Sequence, residues 1–295
     1  MKGIRTVFSA RALAKGLNTT LTQDDIRHVK KEIINAVLPT LRGRELLPIN
    51  SEMPITAEFV HQMTETRMGA AVVRGRRTTH SMDDELLETL GAAIPIPYIE
   101  KKFQFHRLDV LSKNNAKDRT ARGAGRRVSE GENDLIFNGC TLPAVNGLIA
   151  GAGNTTAATA VWSSAAGTAF PYEDVNRLIG LMEADGMMGP YKMRVEPVNM
   201  SEFRKREVVA GGSADSYLNL VKASLISDIE SDPSLPHGTA VVIQASKDVA
   251  ELAMPEDFTI EFLDKDEMDV FHGRVYERCV PWIHQADGVG TITGM

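Results

Sequence analysis

Several places in this sequence carry residue types that do chemistry, and spacing decides what each is able to do. Gly151-Ala-Gly-Asn-Thr-Thr156 has the small residues of a loop whose backbone amides cradle a phosphate. Such a loop works when Gly-Lys-Ser/Thr closes it, because the lysine brings charge and the hydroxyl a metal ligand. Neither follows here, so a flexible loop is expected. Gly123-Ala-Gly-Arg-Arg127 is part of a dinucleotide fingerprint, but no strand directly feeds it. His272, Cys279 and His284 are zinc-ligand types in no standard spacing, and strand parity puts His272 opposite Cys279. Asp264, Asp266 and Glu267 have the chemistry for a hard cation, although a solvated turn accounts for them. Glu130 and Glu132 occupy neighbouring helix positions that do not face each other. No Gly-x-Ser-x-Gly elbow occurs. No catalytic residue, cofactor or metal is therefore nominated. One basic group remains, Arg67, Arg74, Arg76 and Arg77, in a stretch expected to be an extended hairpin, where arginines make ion pairs and hydrogen bonds across a contact.

The elements that would carry these residues follow from pattern. Leu21 to Leu38 is a helix: Thr22 caps it, Asp24 and Asp25 suit its positive end, and Ile26, Val29, Ile33 and Val37 form one stripe. Pro39 ends it. Leu47 to His80 alternates weakly and is broken by Gly69 and Gly75, which predicts a two-stranded hairpin with a basic end. An isolated hairpin is marginal in water, so it should rest on a neighbour. Ile94 to His106 reads as one strand, pushed to a sheet edge by Pro95 and Pro97. Lys117 to Phe137 is a long helix with Ala124, Val128, Gly131 and Leu135 inward, stopped by Asn138-Gly139. Its glycines cost about 1 kcal/mol each relative to Ala and permit a close approach by another backbone. A buried turn should then lead to the apolar run Val145 to Ile149.

Further on, Gly151 to Gly167 reads as a loop or flexible strand. Asp174 to Ala184 is an amphipathic helix and Tyr191 to Glu196 a strand. Ser201 to Val208 and Tyr217 to Ile226 are short helices. Thr239 to Gln244 is a buried strand, Phe258 to Phe262 alternates, and Met268 to Ile283 is a long strand with Phe271, Val275 and Cys279 on one side. The class is α+β.

Composition narrows the function. The chain has 295 residues, 43% hydrophobic and 24% charged, which fits a globular protein. A net charge of -6 argues against an electrostatic grip on nucleic acid by the protein as a whole. Two cysteines make no disulfide framework. No signal peptide or membrane-length apolar run occurs, so a soluble, cytoplasmic protein is expected.

Several segments, in this order, resemble shell proteins with the Hong Kong 97-type capsid fold, the fold of encapsulins and of tailed-virus major capsid proteins. Leu21-Thr-Gln-Asp-Asp and Leu41-Arg-Gly-Arg-Glu-Leu-Leu47 are similar to the N-terminal helix and the strand that leaves it. Ile96-Pro-Tyr-Ile-Glu-Lys-Lys-Phe-Gln-Phe105 resembles the strand entering the peripheral domain. Glu132-Asn-Asp-Leu-Ile-Phe-Asn-Gly139 resembles the end of the spine helix. Val175 to Arg194 is similar to the axial helix and strand, and Phe258 to Ile283 to the closing hairpin.

The resemblance implies an N-terminal arm and helix over 1–46, an E-loop over 47–91, a peripheral domain with the long spine helix over 92–139 and 255–295, and an axial domain over 140–254. It implies a structural, non-enzymatic chain that assembles with many copies of itself as pentamers and hexamers. The first expectation is a viral major capsid protein, assembled in a host cytoplasm around DNA held without sequence-specific binding, with decoration, scaffold or portal proteins as further partners and no membrane. The alternative is an encapsulin, a cytoplasmic nanocompartment holding a protein cargo. A third, from another class, is a soluble α+β enzyme with an unrecognised site. Some family members cross-link their shells through an E-loop lysine. No lysine lies between Lys31 and Lys101, which implies a non-covalent lattice with the four hairpin arginines as assembly contacts.

Overall fold

The computed structural model describes residues 23–37, 42–65, 89–106, 116–162, 171–204, 216–223, 226–262 and 270–295. Its elements in chain order are α1 (Gln23–Val37), α2 (Arg42–Leu46), β1 (Ile49–Asn50), β2 (Phe59–Glu65), β3 (Thr89–Pro95), β4 (Tyr98–His106), α3 (Ala116–Asn138), β5 (Gly139–Thr141), β6 (Ala144–Asn146), β7 (Asn154–Ala157), α4 (Pro171–Ala184), β8 (Tyr191–Val195), α5 (Pro197–Phe203), α6 (Tyr217–Ala223), β9 (Ile226–Ser231), β10 (Thr239–Gln244), β11 (Ala250–Phe262), β12 (Val270–Ile283) and β13 (Val289–Thr293).

Two sheets organise the chain. The first has the order β1-β11-β12-β4, with the long hairpin β11–β12 at its centre. The helix α3 lies on it and α1 lies on α3. Val29, Ile33 and Val37 meet Ala121, Ala124 and Val128, which in turn cover Phe103, Phe258 and Phe271. The small residues of α3 set this spacing. A Cβ on Gly125 would stand 2.7 Å from Ile33 Cγ2 and 3.0 Å from Val37 Cγ2, so α1 seats directly on the backbone of α3. The helix stops at Gly139, whose φ of +75° favours glycine. The amides of Leu148 and Ile149 then bond the carbonyls of Ile136 and Phe137 at 2.8 and 3.1 Å, satisfying the end of the helix.

The second sheet has the order β7-β13-β10-β8-β9 and is covered by α4, whose Val175, Leu178, Ile179 and Met182 are all buried. Strand β10 is apolar throughout because both faces are used. Val241 and Ile243 join the cluster shared with the first sheet, whereas Ala240 and Val242 join the cluster under α4.

Four sequence expectations change. Ile94 to His106 is two strands: Pro95 and Pro97 lack the amides a ladder needs, and the chain passes there from the β2–β3 ribbon to the edge of the first sheet. The turn between β5 and β6 is not buried, since Leu142 at its tip is 93% exposed. Residues 42–46 form a helical turn rather than a strand. Residue Ile226 opens a strand, β9, that pairs in parallel with β8. In addition, β13 lies inside the second sheet, between β7 and β10.

Candidate assembly surfaces and the clamp between the sheets

A five-residue helix joins the two sheets. In α2, Arg-Gly-Arg-Glu-Leu, each charged side chain goes to a different element. Arg44 is 12% exposed and spends every guanidinium nitrogen on a carboxylate: Nε to Glu132 Oε1 at 2.6 Å, Nη1 to Asp257 Oδ1 at 2.8 Å, and Nη2 to Glu277 Oε2 at 2.6 Å. A planar fork suits this three-way contact as a lysine would not. These partners lie on α3, β11 and β12. The Gly43 amide donates to Asn133 Oδ1 at 2.9 Å, fixing α2 to α3. Toward the second sheet, Arg42 donates to the Ser231 carbonyl, and Lys192 donates to the Glu45 carbonyl at the negative end of the helix. Glu45 also faces Arg194, a fully buried arginine on β8 that bonds Asp228 Oδ2 at 2.7 Å.

The clamp carries an excess of negative charge. Glu132 and Glu277 are fully buried and share one arginine with Asp257. Burial raises the Glu277 pKa well above the ordinary value, and the adjoining Glu132 carboxylate raises it further, against the pull of Arg44. Glu132 Oε2 and Glu277 Oε1 lack partners when both groups are ionised. A proton on Glu277 supplies the missing donor. For Arg44, burial works against the charge, but Glu132, Glu277 and Asp257 outweigh it and hold the guanidinium protonated.

The β2–β3 ribbon pairs with no other strand among the described residues. Its root is held by Arg278, which donates to the Ile55 and Ala57 carbonyls at 2.7 and 2.5 Å, and by the Ile96 amide, which donates to the Glu58 carbonyl at 2.9 Å. Around that root Ile55, Phe59 and Tyr98 are exposed. Isolated exposed apolar residues are ordinary; these converge on Arg278, whose own strand position pairs with Tyr98. The four arginines expected to make assembly contacts, Arg67, Arg74, Arg76 and Arg77, lie outside the described residues, as do Asp264, Asp266 and Glu267. His272 and Cys279 lie on β12, the latter wholly buried, and His284 just beyond it, 3.5 Å from Glu251. Glu130 faces solvent beside Arg126 and Arg127, while Glu132 turns inward. Sequence reasoning weighed Glu132 only as half of an acidic pair with Glu130, and passed over Arg44, Arg194 and Glu277 as functional groups. One signal was available: Glu132 stands four residues after Val128, on the inner stripe of α3, where a carboxylate requires a cation.

Residues 68–278 match the family described as encapsulating protein for peroxidase. The chain belongs to that family, and it is a structural shell protein with the Hong Kong 97-type capsid fold. The capsid of Myoviridae phage XM1 superimposes with a TM-score of 0.65 at 13% identity, covering 100% of both chains. The virus-like particle from Pyrococcus furiosus gives 0.63 at 14% identity, over 90% of this chain and 98% of that one. The holo-SrpI encapsulin complex of Synechococcus elongatus PCC 7942 gives 0.58 at 11%, over 99% and 96%. At such identities the likeness is one of fold. Comparison with curated proteins gives no match. Among the described residues no helix is long and apolar enough to cross a membrane.

Proposed function

We propose that this chain is the major capsid protein of a tailed virus, closing with its own copies, as pentamers and hexamers in a host cytoplasm, into an icosahedral head around double-stranded DNA. The observation that carries the reading is the ribbon: β2 and β3 pair only with each other among the described residues, and apolar side chains gather at their root. A two-stranded ribbon is marginal alone, and a sibling subunit supplies the surface it needs. Obligate contacts of this kind bury roughly 2,000–5,000 Å². The phage capsid chain corresponds to this one end to end, a likeness of fold that the encapsulin chain shares over 99% and 96%.

Within this reading, 1–46 is the arm and first helices and 47–91 the E-loop. Residues 92–139 with β11 and β12 form the peripheral domain around α3, and the second sheet, β13 included, is the axial domain. The second reading is an encapsulin holding a protein cargo, favoured by the family's description as an encapsulating protein for peroxidase. Negative-stain microscopy of the purified chain tests the shell, which requires closed particles of megadalton size. Nuclease-protected DNA inside native particles supports the virus; a packaged enzyme in its place overturns it in favour of the compartment.

A further inference from the structure

The exposed face of α3 carries charge where a helix least favours it. Arg119, Arg122, Arg126 and Arg127 all point to solvent along the first half of the helix, and Arg119 stands in the first turn, where the positive end of the dipole disfavours a cation. Arg119 and Arg122 are three apart and Arg122 and Arg126 four apart, spacings at which like charges cost roughly 0.2–0.5 kcal/mol per pair. Beside this face runs β4, the edge strand of the first sheet, with exposed Lys101 and Lys102. Arg127 and both lysines line one cleft of about 640 Å³ between the helix and the sheet edge.

Carboxylates answer only part of this charge. Glu130 meets Arg126 and Arg127 at 3.1 and 2.7 Å, Glu100 meets Lys102 at 3.4 Å, and Glu32 meets Arg122 at 3.7 Å. Lys101 and Arg119 have no ion-pair partner among the described residues. Six cations thus face three carboxylates in a chain whose net charge is -6.

We infer that this face, the arginine stripe of α3 with Lys101 and Lys102 on the edge of β4, holds the phosphodiester backbone of the packaged DNA; the inference rests on the capsid reading above. The geometry fits a strand of phosphates. Arg119 to Arg127 spans about 12 Å of helix axis at 1.5 Å per residue, equal to the axial rise of three to four phosphates of one DNA strand at about 3.4 Å each along the duplex axis. The cleft's cations, set on two different elements, grip a backbone from both sides without touching a base edge, so the contact is independent of sequence. It also accommodates the acidic chain: charge is concentrated on one face while the rest repels.

The test uses full-length chain from the unassembled size-exclusion fraction and a fluorescent DNA duplex of about 20 bp, with binding followed by anisotropy across salt. The variant Lys101→Gln/Arg119→Gln/Arg127→Gln removes three cations from this face; Arg204→Gln/Lys222→Gln/Lys247→Gln removes three exposed cations elsewhere. We expect the first to lower the slope of log affinity against log salt by about 0.9 per cation and to weaken binding about tenfold or more, with the second unchanged. Bound duplex should also protect Lys101 and Lys102 from acetylation. If the chain is recovered only as closed particles, DNA retained per particle replaces anisotropy, with the same ordering expected. No binding by the unsubstituted chain, or equal losses in both variants, overturns the assignment of this face while leaving DNA-filled particles, and so the capsid reading, intact. Particles filled with protein instead of DNA overturn the capsid reading itself.

Discussion

One arginine and three carboxylates give the subunit a pH response. Glu277 is held above its usual value near 4.5 first by burial and then by Glu132. Between that value and its folded one, the folded chain keeps a proton that the unfolded chain has released. Stability from this group is therefore full below about pH 4.5 and is lost as pH rises through the folded value. Glu277→Gln imitates the protonated side chain: its carbonyl accepts from Arg44 and its amide donates to Glu132. We expect the thermal midpoint of the unsubstituted protein to fall as pH rises above about 4.5, and the Gln variant to flatten that fall. Equal slopes in the two proteins would remove Glu277 as the titrating group. Arg44→Ala is the severe case. It strands two buried carboxylates, a loss of roughly 3–5 kcal/mol, to be read by chemical denaturation.

At the scale of elements, α3 offers a paired test of what its glycines do. Nothing lies within 4 Å of a Cβ added at Gly123, whereas one at Gly125 meets the stiff β-branched side chain of Ile33 at 2.7 Å. Gly123→Ala should stabilise by about 1 kcal/mol through helix propensity. Gly125→Ala should lose that gain and more by lifting α1, costing about 1–3 kcal/mol. Opposite signs in urea unfolding are the expected result, and a stabilised Gly125→Ala would mean that α1 does not seat there. The helices α1, α3 and α4 and the strand β10 were legible because each carries its own period and its own stop: Val29, Ile33 and Val37 on one side, Gly139 at an end. Strands β9 and β13 were not, because what makes them strands is β8 and β10, residues far away in the chain. The clamp was hidden for a related reason. One turn of helix has no period to read, and the identity of Arg44 as a buried hub depends on Glu132, Asp257 and Glu277, which sequence separates by 88, 213 and 233 positions.

At the scale of the whole molecule, the clamp and the ribbon divide the labour of a shell subunit. The clamp ties both sheets to α3 through α2; the ribbon leaves that body, and its strands pair with no other strand among the described residues. The division predicts that the two are separable. The Ile96 amide bonds the Glu58 carbonyl at 2.9 Å, so the ribbon's two ends already meet at its root, and a short glycine linker from Glu58 to Ile96 can replace everything between. The cut removes Val60 and the partly buried Ile94 from the cluster between the sheets and leaves the clusters under α1 and α4 untouched. The deleted protein should keep its far-ultraviolet dichroism apart from the ribbon and unfold cooperatively, at a somewhat lower temperature. It should elute as a small species, and negative-stain fields should hold no closed particles. Should shells of normal size form without residues 59–95, the ribbon would be an ornament of the subunit, and the surface that binds neighbouring copies would have to be sought on the body itself.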